Sequence, residues 1–260
     1  MSNTIHPTAV VSEQTQLGSG NQIGPFVVIH DDVILGDNNV LHSGAVVHSG
    51  SRIGNANRIH EYAVIGGLPQ DLGFDPETPS YVTLGDENVL REAVIIHRAS
   101  VANEHTRLGN RNYLMNGTHL GHDCVLANQV IIAPYAALGG FVHVAERAFI
   151  SGGVMIHQFA RVGELAMIGG NSKITRDVLP FMITDGMPGR VRGLNVVGLR
   201  RAGYQASELR TLKQAYRILF RGEPDLAASL QQLQALATDS ASRLVAFIEG
   251  SKRGFHRDRD

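Results

Sequence analysis

Aliphatic residues recur at every sixth position along most of this chain. One register runs from Ile5 to Ile65 and a second from Leu84 to Ile174, and Val, Ile or Leu fills every step except Ala102. A period of six fits neither a helix nor the alternation of a simple strand. It is typical of a parallel β-helix, in which each hexapeptide forms one short strand and one turn. The pattern therefore predicts a mainly β fold in which every sixth side chain points inward.

The position after each inward residue carries its own pattern. It sits beside the turn, where a missing Cβ helps the chain to bend and pack. Glycine takes it 11 times: Gly18, Gly24, Gly36, Gly54, Gly66, Gly85, Gly109, Gly121, Gly139, Gly163 and Gly169. Histidine takes it seven times, which favours turn-side or interface histidines: His6, His30, His42, His48, His60, His97 and His157. The repeat thus accounts for a composition with 29 glycines and only 6% aromatic residues.

Two segments interrupt the repeat. Residues 66–83 contain three prolines and three glycines, which predicts a loop extending from the solenoid, and loops of this length are commonly functional. The polar stretch 99–107 surrounds the weak position Ala102 and indicates a second, shorter excursion. The six-residue step ends at Pro180.

The remainder of the chain has helical spacing. Ser207 is a candidate N-cap for a helix that ends near Gly222. A second helix is expected through 226–233, after the break at 222–224, and a third through 244–248. These helices would cover the open end of the solenoid, whose strand edges are otherwise unpaired.

We therefore expect two domains, a β-helix over 1–189 and a helical domain over 190–260. Charge follows this division, because the net charge of −1 combines a basic excess at 190–221 with an acidic remainder. This balance argues against a nucleic-acid binder. No run of about 18 apolar residues predicts a membrane span, and the N-terminus does not resemble a signal peptide. Cys124 is the single cysteine, so we expect a buried, unreactive thiol and a reducing, cytoplasmic location.

Several short motifs stand apart from the repeat: Gln70-Asp71-Leu72, Ile95-Ile96-His97-Arg98, Gly121-His122-Asp123-Cys124, His157-Gln158-Phe159 and the pair Arg200-Arg201. Together they resemble the UDP-N-acetylglucosamine O-acyltransferases, which begin lipid A synthesis. The resemblance implies a left-handed parallel β-helix with a C-terminal α-helical domain, assembled as a homotrimer with active sites between neighbouring subunits. It also implies an acyl carrier protein as donor, a nucleotide sugar as acceptor, and neither a cofactor nor a metal.

The resemblance assigns the acyl-transfer chemistry to three residues. His122 matches the general base, a role that suits histidine because its pKa lies near neutral pH. Asp123 follows it and would orient the imidazole and stabilise its charged form. The backbone N–H of Gly140 would donate to the tetrahedral oxyanion.

Further positions match substrate contacts of the family. Asp71, next to Gln70 in the same motif, matches a sugar-binding carboxylate, and His119 matches a histidine near the reacting acyl group. His157 and Gln158 match residues that contact the acyl chain or the nucleotide. Asn195 and Arg201 match residues that contact the nucleotide and its phosphates. Gly170 matches the position that limits acyl length, and a glycine there predicts a long chain of the 3-hydroxytetradecanoyl class.

Five positions depart from the family around the acceptor. Gly73 replaces a usual lysine, Val197 a glutamate and Ala202 a basic residue, whereas Phe141 and Pro188 stand where many members have histidine. The same chemistry on another nucleotide sugar or on an amino-sugar acceptor is therefore an alternative.

Two other classes of function and one partner surface complete the expectations. The first alternative is a zinc enzyme, because some hexapeptide proteins hold zinc between three histidines and act as carbonic anhydrases, and His97, His119 and His122 could be such ligands. The second alternative is a scaffold without catalytic activity. The basic C-terminal residues suit either a solvated helical face or a docking surface for an acidic acyl carrier protein. They are Arg200, Arg201, Arg210, Lys213, Arg217 and Arg221.

Overall fold

A computed structural model describes residues 2–222 and 225–258, and in these residues the chain forms 28 strands and four helices. The first eleven strands are β1 Thr4–Ile5, β2 Val10–Val11, β3 Gln16–Leu17, β4 Gln22–Ile23, β5 Val28–Ile29, β6 Ile34–Leu35, β7 Val40–Leu41, β8 Val46–Val47, β9 Ser51–Ile53, β10 Arg58–Ile59 and β11 Val64–Gly67. The next eleven are β12 Tyr81–Leu84, β13 Val89–Leu90, β14 Ile95–His97, β15 His105–Leu108, β16 Tyr113–Leu114, β17 His119–Leu120, β18 Val125–Leu126, β19 Ile131–Ile132, β20 Ala137–Leu138, β21 His143–Val144 and β22 Phe149–Ile150. The last six are β23 Met155–Ile156, β24 Arg161–Val162, β25 Met167–Ile168, β26 Lys173–Ile174, β27 Met182–Asp185 and β28 Arg190–Leu194.

The strands stack into three sheets that form the sides of a prism. Sheet 1 starts β1-β4-β7-β10, sheet 2 starts β2-β5-β8-β11, and sheet 3 contains β3-β6-β9-β12, so every third strand pairs in parallel. Most strands contribute one side chain to the interior, as Leu90, Leu114 and Ile132 do in sheet 1, where all three are fully buried. The predicted parallel β-helix of hexapeptides is thereby confirmed.

Both interruptions of the repeat are excursions from this prism. Equivalent positions on regular coils lie 18 residues apart, whereas Asn55 and Asp86 are separated by 31 and Asp86 and Asn110 by 24. The longer coil contains 66–83 and the shorter one contains 99–107. Ala102 is exposed in the second excursion and is not an inward position, because Leu84 pairs directly with Leu108.

Six of the 11 glycines follow strands of sheet 3 and lie at one corner of the prism: Gly18, Gly36, Gly54, Gly85, Gly109 and Gly163. A Cβ built on Gly36 would lie 2.7 Å from the carbonyl oxygen of Gly54 on the next coil, so these glycines allow the coils to approach closely. A ladder of asparagines supports the stack at the same corner, where the backbone N–H of Asn57 donates to Asn39 Oδ1 at 2.9 Å and Asn39 Nδ2 donates to the Gly54 carbonyl at 2.9 Å. Asn39, Asn57 and Asn88 are fully buried, and every one of them is paired in this way.

The C-terminal segment closes one end of the prism. Strands β27 and β28 form an antiparallel hairpin that extends sheet 1. The expected domain boundary at 189/190 falls between these two strands, and the division into two domains stays a prediction. Four helices follow: α1 Val196–Arg201, α2 Ala206–Arg221, α3 Leu226–Gln234 and α4 Asp239–Glu249. None of the helices in the described part of the chain is long and apolar enough to cross a membrane.

Three of these helices correspond to the predicted ones, and α1 was not predicted. Helix α2 starts one residue before the proposed cap Ser207, because Gln205 is the N-cap and shares a capping box with Glu208. The expected break between the first two predicted helices includes residues 223 and 224, which lie outside the described residues.

Candidate active site

His122 and Asp123 lie at the corner that follows β17. Asp123 has a left-handed backbone, with φ at +60°, which turns its side chain back toward the histidine. The Asp123 carboxylate oxygen Oδ2 lies 2.7 Å from His122 Nδ1 and accepts a hydrogen bond from it when that nitrogen carries the proton. This arrangement leaves His122 Nε2 as the basic nitrogen of the neutral ring.

The carboxylate of Asp123 is held by the second excursion. Its Oδ2 accepts hydrogen bonds from the backbone N–H of Ser100 at 2.9 Å and from the Ser100 hydroxyl at 2.7 Å. The backbone N–H of Asp123 donates to Thr106 Oγ1 at 2.8 Å. Asp123 is 7% exposed, so these contacts fix a nearly buried carboxylate against the imidazole. The sequence motifs did not identify Ser100 or Thr106 as site residues. The one sequence feature that pointed to them was the predicted excursion at 99–107, in which both lie.

Gly140 lies directly beside the His122 ring. A Cβ at this position would come within 2.5 Å of His122 Cε1 and 2.6 Å of Nε2, so any side chain would displace the imidazole. A Cβ on Gly121 would lie 2.8 Å from the Gly140 nitrogen, so glycine at 121 keeps that nitrogen uncovered. Among the hydrogen bonds of the described residues, the Gly140 N–H has no acceptor. An oxygen close to His122 Nε2 would therefore find a free backbone donor.

Two phenylalanines form a wall above the imidazole. The ring of Phe141 meets His122 edge to face at 5.3 Å between centroids and stacks on Phe159 at 4.8 Å. Phe141 is one of the positions at which many family members have histidine. The aromatic substitution keeps the ring of His122 packed but supplies no hydrogen bond to a substrate.

His119 and His97 lie next to the His122 corner on neighbouring strands of sheet 2. Their rings meet at 5.0 Å, and the buried Nε2 atoms of both have no hydrogen-bond partner within the described residues. Burial lowers the pKa of His119, and the charge of His97 lowers it further. Burial also lowers the pKa of His97, whereas its Nδ1 contact with the Leu68 carbonyl opposes that change.

The loop at 66–83 is anchored near these histidines. The Leu68 carbonyl lies 2.6 Å from His97 Nδ1, and Arg98 donates to the carbonyl of Pro76 at 2.7 Å. Asp71 and Gln70 are exposed on this loop, and the Asp71 carboxylate accepts from the backbone N–H of Gly73 at 2.9 Å. The loop thus presents Asp71 to solvent without a cationic neighbour at position 73.

His157 and Gln158 lie on the coil after Gly140, at the same corner. Both are exposed, and the backbone nitrogen of Gln158 would lie 2.8 Å from a Cβ on Gly139. His157 Nδ1 is 3.4 Å from an Arg253 guanidinium nitrogen. One corner of the prism therefore collects the predicted residues His122, Asp123, Gly140, His157 and Gln158.

The remaining predicted residues lie on a different face. Gly170 follows sheet 1, and a Cβ built on it would contact only the Gly152 carbonyl oxygen at 3.6 Å, so the space beside it is open. Arg201 and Asn195 line a cavity of about 600 Å³ on sheet 1, together with Tyr113, Met167 and the substituted positions Val197 and Ala202. Asn195 is also the N-cap of α1: its Oδ1 accepts from Gly198 N–H at 3.0 Å and its Nδ2 donates to the Leu165 carbonyl at 2.9 Å. Within a single chain, Gly170, Asn195 and Arg201 therefore lie on a different face of the prism from His122.

Two other expectations concern sulfur and zinc. Cys124 is buried, as expected, and burial raises the pKa of its thiol to about 12. His97, His119 and His122 do not form a cluster of metal-ligating atoms within 4.8 Å in the part of the chain that the structure describes. A single chain therefore does not assemble a zinc site from these histidines.

Short parallel strands in three sheets, together with an acid–histidine pair at one corner, define a hexapeptide-repeat transferase. The model of the bacterial transferase hexapeptide matches residues 14–49, and that of UDP-N-acetylglucosamine O-acyltransferase domain 2 matches residues 177–256. The chain belongs to the UDP-N-acetylglucosamine O-acyltransferase family, and its β-helix is left-handed.

Curated relatives carry the name acyl-(acyl-carrier-protein)–UDP-N-acetylglucosamine O-acyltransferase. The protein of Verminephrobacter eiseniae is 40% identical over 99% of this chain and 100% of its own length. The protein of Synechocystis sp. is 45% identical, but there the alignment spans 66% of this chain and 62% of the relative.

Solved structures of this family superimpose on nearly the whole chain. The UDP-N-acetylglucosamine acyltransferase of Bacteroides fragilis has a TM-score of 0.95 at 36% identity and covers 98% of this chain and 100% of its own. The enzyme of Francisella novicida also has a TM-score of 0.95, at 32% identity, covering 99% and 95%.

Proposed function

We propose that this protein transfers a 3-hydroxyacyl chain from acyl carrier protein to the 3-hydroxyl of UDP-N-acetylglucosamine, in lipid A biosynthesis. The observation that carries the proposal is the connected set Ser100–Asp123–His122, which faces the free N–H of Gly140. A general base beside an oxyanion donor is what acyl transfer to an alcohol requires. The names of the relatives supply the donor and the acceptor.

In the proposed mechanism, His122 Nε2 removes the proton of the sugar hydroxyl as its oxygen forms a bond to the thioester carbonyl carbon. The carbonyl oxygen becomes an oxyanion, which the Gly140 N–H stabilises. Collapse of the tetrahedral intermediate breaks the carbon–sulfur bond, and the departing thiolate of the carrier takes the proton from His122. Asp123 stabilises the imidazolium that exists between these two steps.

The proposed acyl carrier surface lies on α1 and α2. Arg210, Lys213, Arg217 and Arg221 are spaced three or four residues apart on α2, which places them on one side of the helix. All four are exposed, as are Arg200 and Arg201 in the last turn of α1. Such a basic strip would attract an acidic carrier, and salt would weaken the encounter because exposed charges are screened over about 8–10 Å. A donor KM that stays constant from low to high salt would contradict this surface.

The proposed homotrimer follows from the separation of the predicted residues. The catalytic corner and the cavity with Arg201 lie on different faces of the prism, so a complete site needs the Arg201 face of a neighbouring subunit. Coexpression of His122→Ala and Arg201→Ala chains tests this arrangement. In random assemblies roughly one interface in four would combine two intact faces, so activity should reappear although each variant alone is inactive. No recovery in mixed assemblies of the correct mass would contradict the shared site.

The acceptor and the catalytic base are tested together. A carrier-dependent transfer assay against a panel of nucleotide sugars, including amino-sugar derivatives, should show preference for UDP-N-acetylglucosamine. His122→Ala should lower kcat by about 100-fold or more, since positioned general bases contribute 10²–10⁴-fold. His30→Ala, on another coil, is the matched control and should leave kcat unchanged. Preference for another sugar would favour the alternative acceptor, and full activity of His122→Ala would contradict the assignment of the base.

We propose a cytoplasmic location and no cofactor, since acyl carrier protein and nucleotide sugars are intracellular substrates and the chemistry needs only side chains and backbone. Residues 1–189 would carry the chemistry, and 190–260 would carry the docking surface for the donor.

A further inference from the structure

His42, His60 and Glu61 form a compact cluster outside the catalytic corner. Each of the three offers one ligand atom, and these atoms all lie within 4.8 Å of one another. The histidines follow the inward residues of β7 and β10 in sheet 1, whereas His122 follows β17 in sheet 2. The proposed acyl transfer makes no use of this cluster.

The backbone of neighbouring coils holds the two histidines in register. The N–H of His42 donates to the Ile59 carbonyl at 2.8 Å, and the N–H of His60 donates to the Leu90 carbonyl at 2.8 Å. Their rings stack at 4.5 Å between centroids and 13° between planes. Two imidazoles are thus presented side by side by rigid structure, and both are half-buried.

Glu61 spans the two rings without bonding to either. Its Oε1 lies 3.7 Å from His42 Nδ1 and its Oε2 lies 3.6 Å from His60 Nδ1. These separations are too long for hydrogen bonds. They are close to the spacing of about 3.4 Å between ligand atoms that each lie 2.0–2.1 Å from a tetrahedral zinc ion. Small side-chain rotations would close the difference.

The charges around the cluster favour a cation. Arg91 occupies the equivalent position on the next coil, but its guanidinium is paired with Glu92 at 2.8 Å and bonded to the Tyr113 hydroxyl at 3.1 Å. Among the described residues, Glu61 has no lysine or arginine partner. Within the described residues, the ion-pair distances of the Glu61 carboxylate are therefore those to the two histidines.

We infer that His42, His60 and Glu61 bind a divalent transition metal ion of the zinc class. Two imidazoles and a carboxylate are a ligand set that zinc accepts, and water would fill the fourth position. The ion would join two successive coils at one corner, so its binding would stabilise the solenoid.

The structure also provides a matched control. His30 and His48 occupy the corresponding corner positions of sheet 2 and stack at 4.9 Å and 10°. No carboxylate completes a metal-ligating group with them in the described residues. The two stacks therefore differ in the presence of a bridging carboxylate.

Titration of the purified, tag-free full-length protein with Zn²⁺ and Co²⁺ tests the inference. Calorimetry should give one saturable site per chain, and bound Co²⁺ should show the visible bands of a low-coordinate nitrogen–oxygen site. His60→Ala should weaken Zn²⁺ binding by more than about 100-fold and Glu61→Gln by about tenfold or more. The double variant His30→Ala/His48→Ala should keep the wild-type Kd, and circular dichroism with urea unfolding checks the folding of every variant.

Three results would overturn the inference. They are the absence of saturable binding, equal binding by the wild type and the His60 and Glu61 variants, and equal weakening by the His30/His48 control. Because these readouts do not depend on turnover, they also stand if the proposed acyl transfer fails its own test.

Discussion

Ser100 donates both its backbone N–H and its hydroxyl to the same Asp123 carboxylate oxygen that faces His122 Nδ1. A residue of the second excursion, 99–107, therefore contacts the proposed base through the carboxylate of Asp123. The Asp123 carboxylate is oriented because the Ser100 N–H, the Ser100 hydroxyl and His122 Nδ1 converge on one oxygen.

Ser100→Ala should lower kcat by about tenfold and leave the KM for both substrates unchanged. A hydrogen bond to a charged group contributes about 1.5–3 kcal/mol, and about 1.4 kcal/mol corresponds to a tenfold change in rate. Ser100→Thr retains the hydroxyl and should restore most of kcat. Steady-state kinetics of the two variants makes the comparison, and a rise in KM alone would contradict a positioning role.

Gly140→Ala should reduce kcat by about 100-fold while the protein stays folded. The added methyl group would meet the imidazole of His122 at 2.5–2.6 Å, so the ring must move, and a displacement near 1 Å can cost that factor. Gly152→Ala is the matched control, because its Cβ would meet only the Pro134 carbonyl oxygen, at 3.2 Å. If both variants keep the wild-type rate, the imidazole does not act from the position described here.

Gly170→Met should shift the preferred donor toward shorter acyl chains. The space beside Gly170 is open, and a methionine side chain would fill it. Each buried methylene contributes about 0.8 kcal/mol, so excluding two or more should change the selectivity between tetradecanoyl and decanoyl donors by more than about tenfold. Competition between the two acyl carriers measures this ratio directly. An unchanged ratio would remove Gly170 from the set that determines chain length.

Acidification should destabilise the folded protein through its buried histidines. Burial lowers the pKa of both His97 and His119 below 6.5, so the unfolded chain binds protons at a higher pH than the folded one. Their contribution to stability is present above pH 6.5 and is lost as the pH falls toward the lower folded-state values. Each such histidine adds up to about 1.4 kcal/mol per pH unit to the slope.

Urea unfolding at pH 7.5, 6.5 and 5.5, at one protein concentration, measures this slope. His119→Gln should make the dependence on pH shallower, because it removes one proton taken up on unfolding. A slope as steep as that of the wild type would show that other groups carry the effect.

The repeat made the fold predictable, whereas the site was only partly so. An aliphatic residue at every sixth position predicts inward side chains and short parallel strands, although Ala102 shows that an excursion can fall on such a position. His122 could be found because its motif, Gly121-His122-Asp123-Cys124, resembles that of the family. Ser100 could not, since its contact with Asp123 depends on how a polar excursion folds back over 23 residues. Helix α1 was missed because six residues are too short to show a helical period.

The two excursions have a broader consequence for how such a molecule can change. They insert residues into successive coils, yet Leu84 still pairs with Ile53 below and Leu108 above. The register of the coils is thus kept whatever the length of the inserted segments. The two excursions nevertheless differ, because only 99–107 supplies side chains that hold Asp123, so the loop at 66–83 can vary in sequence without disturbing the contact between Asp123 and His122.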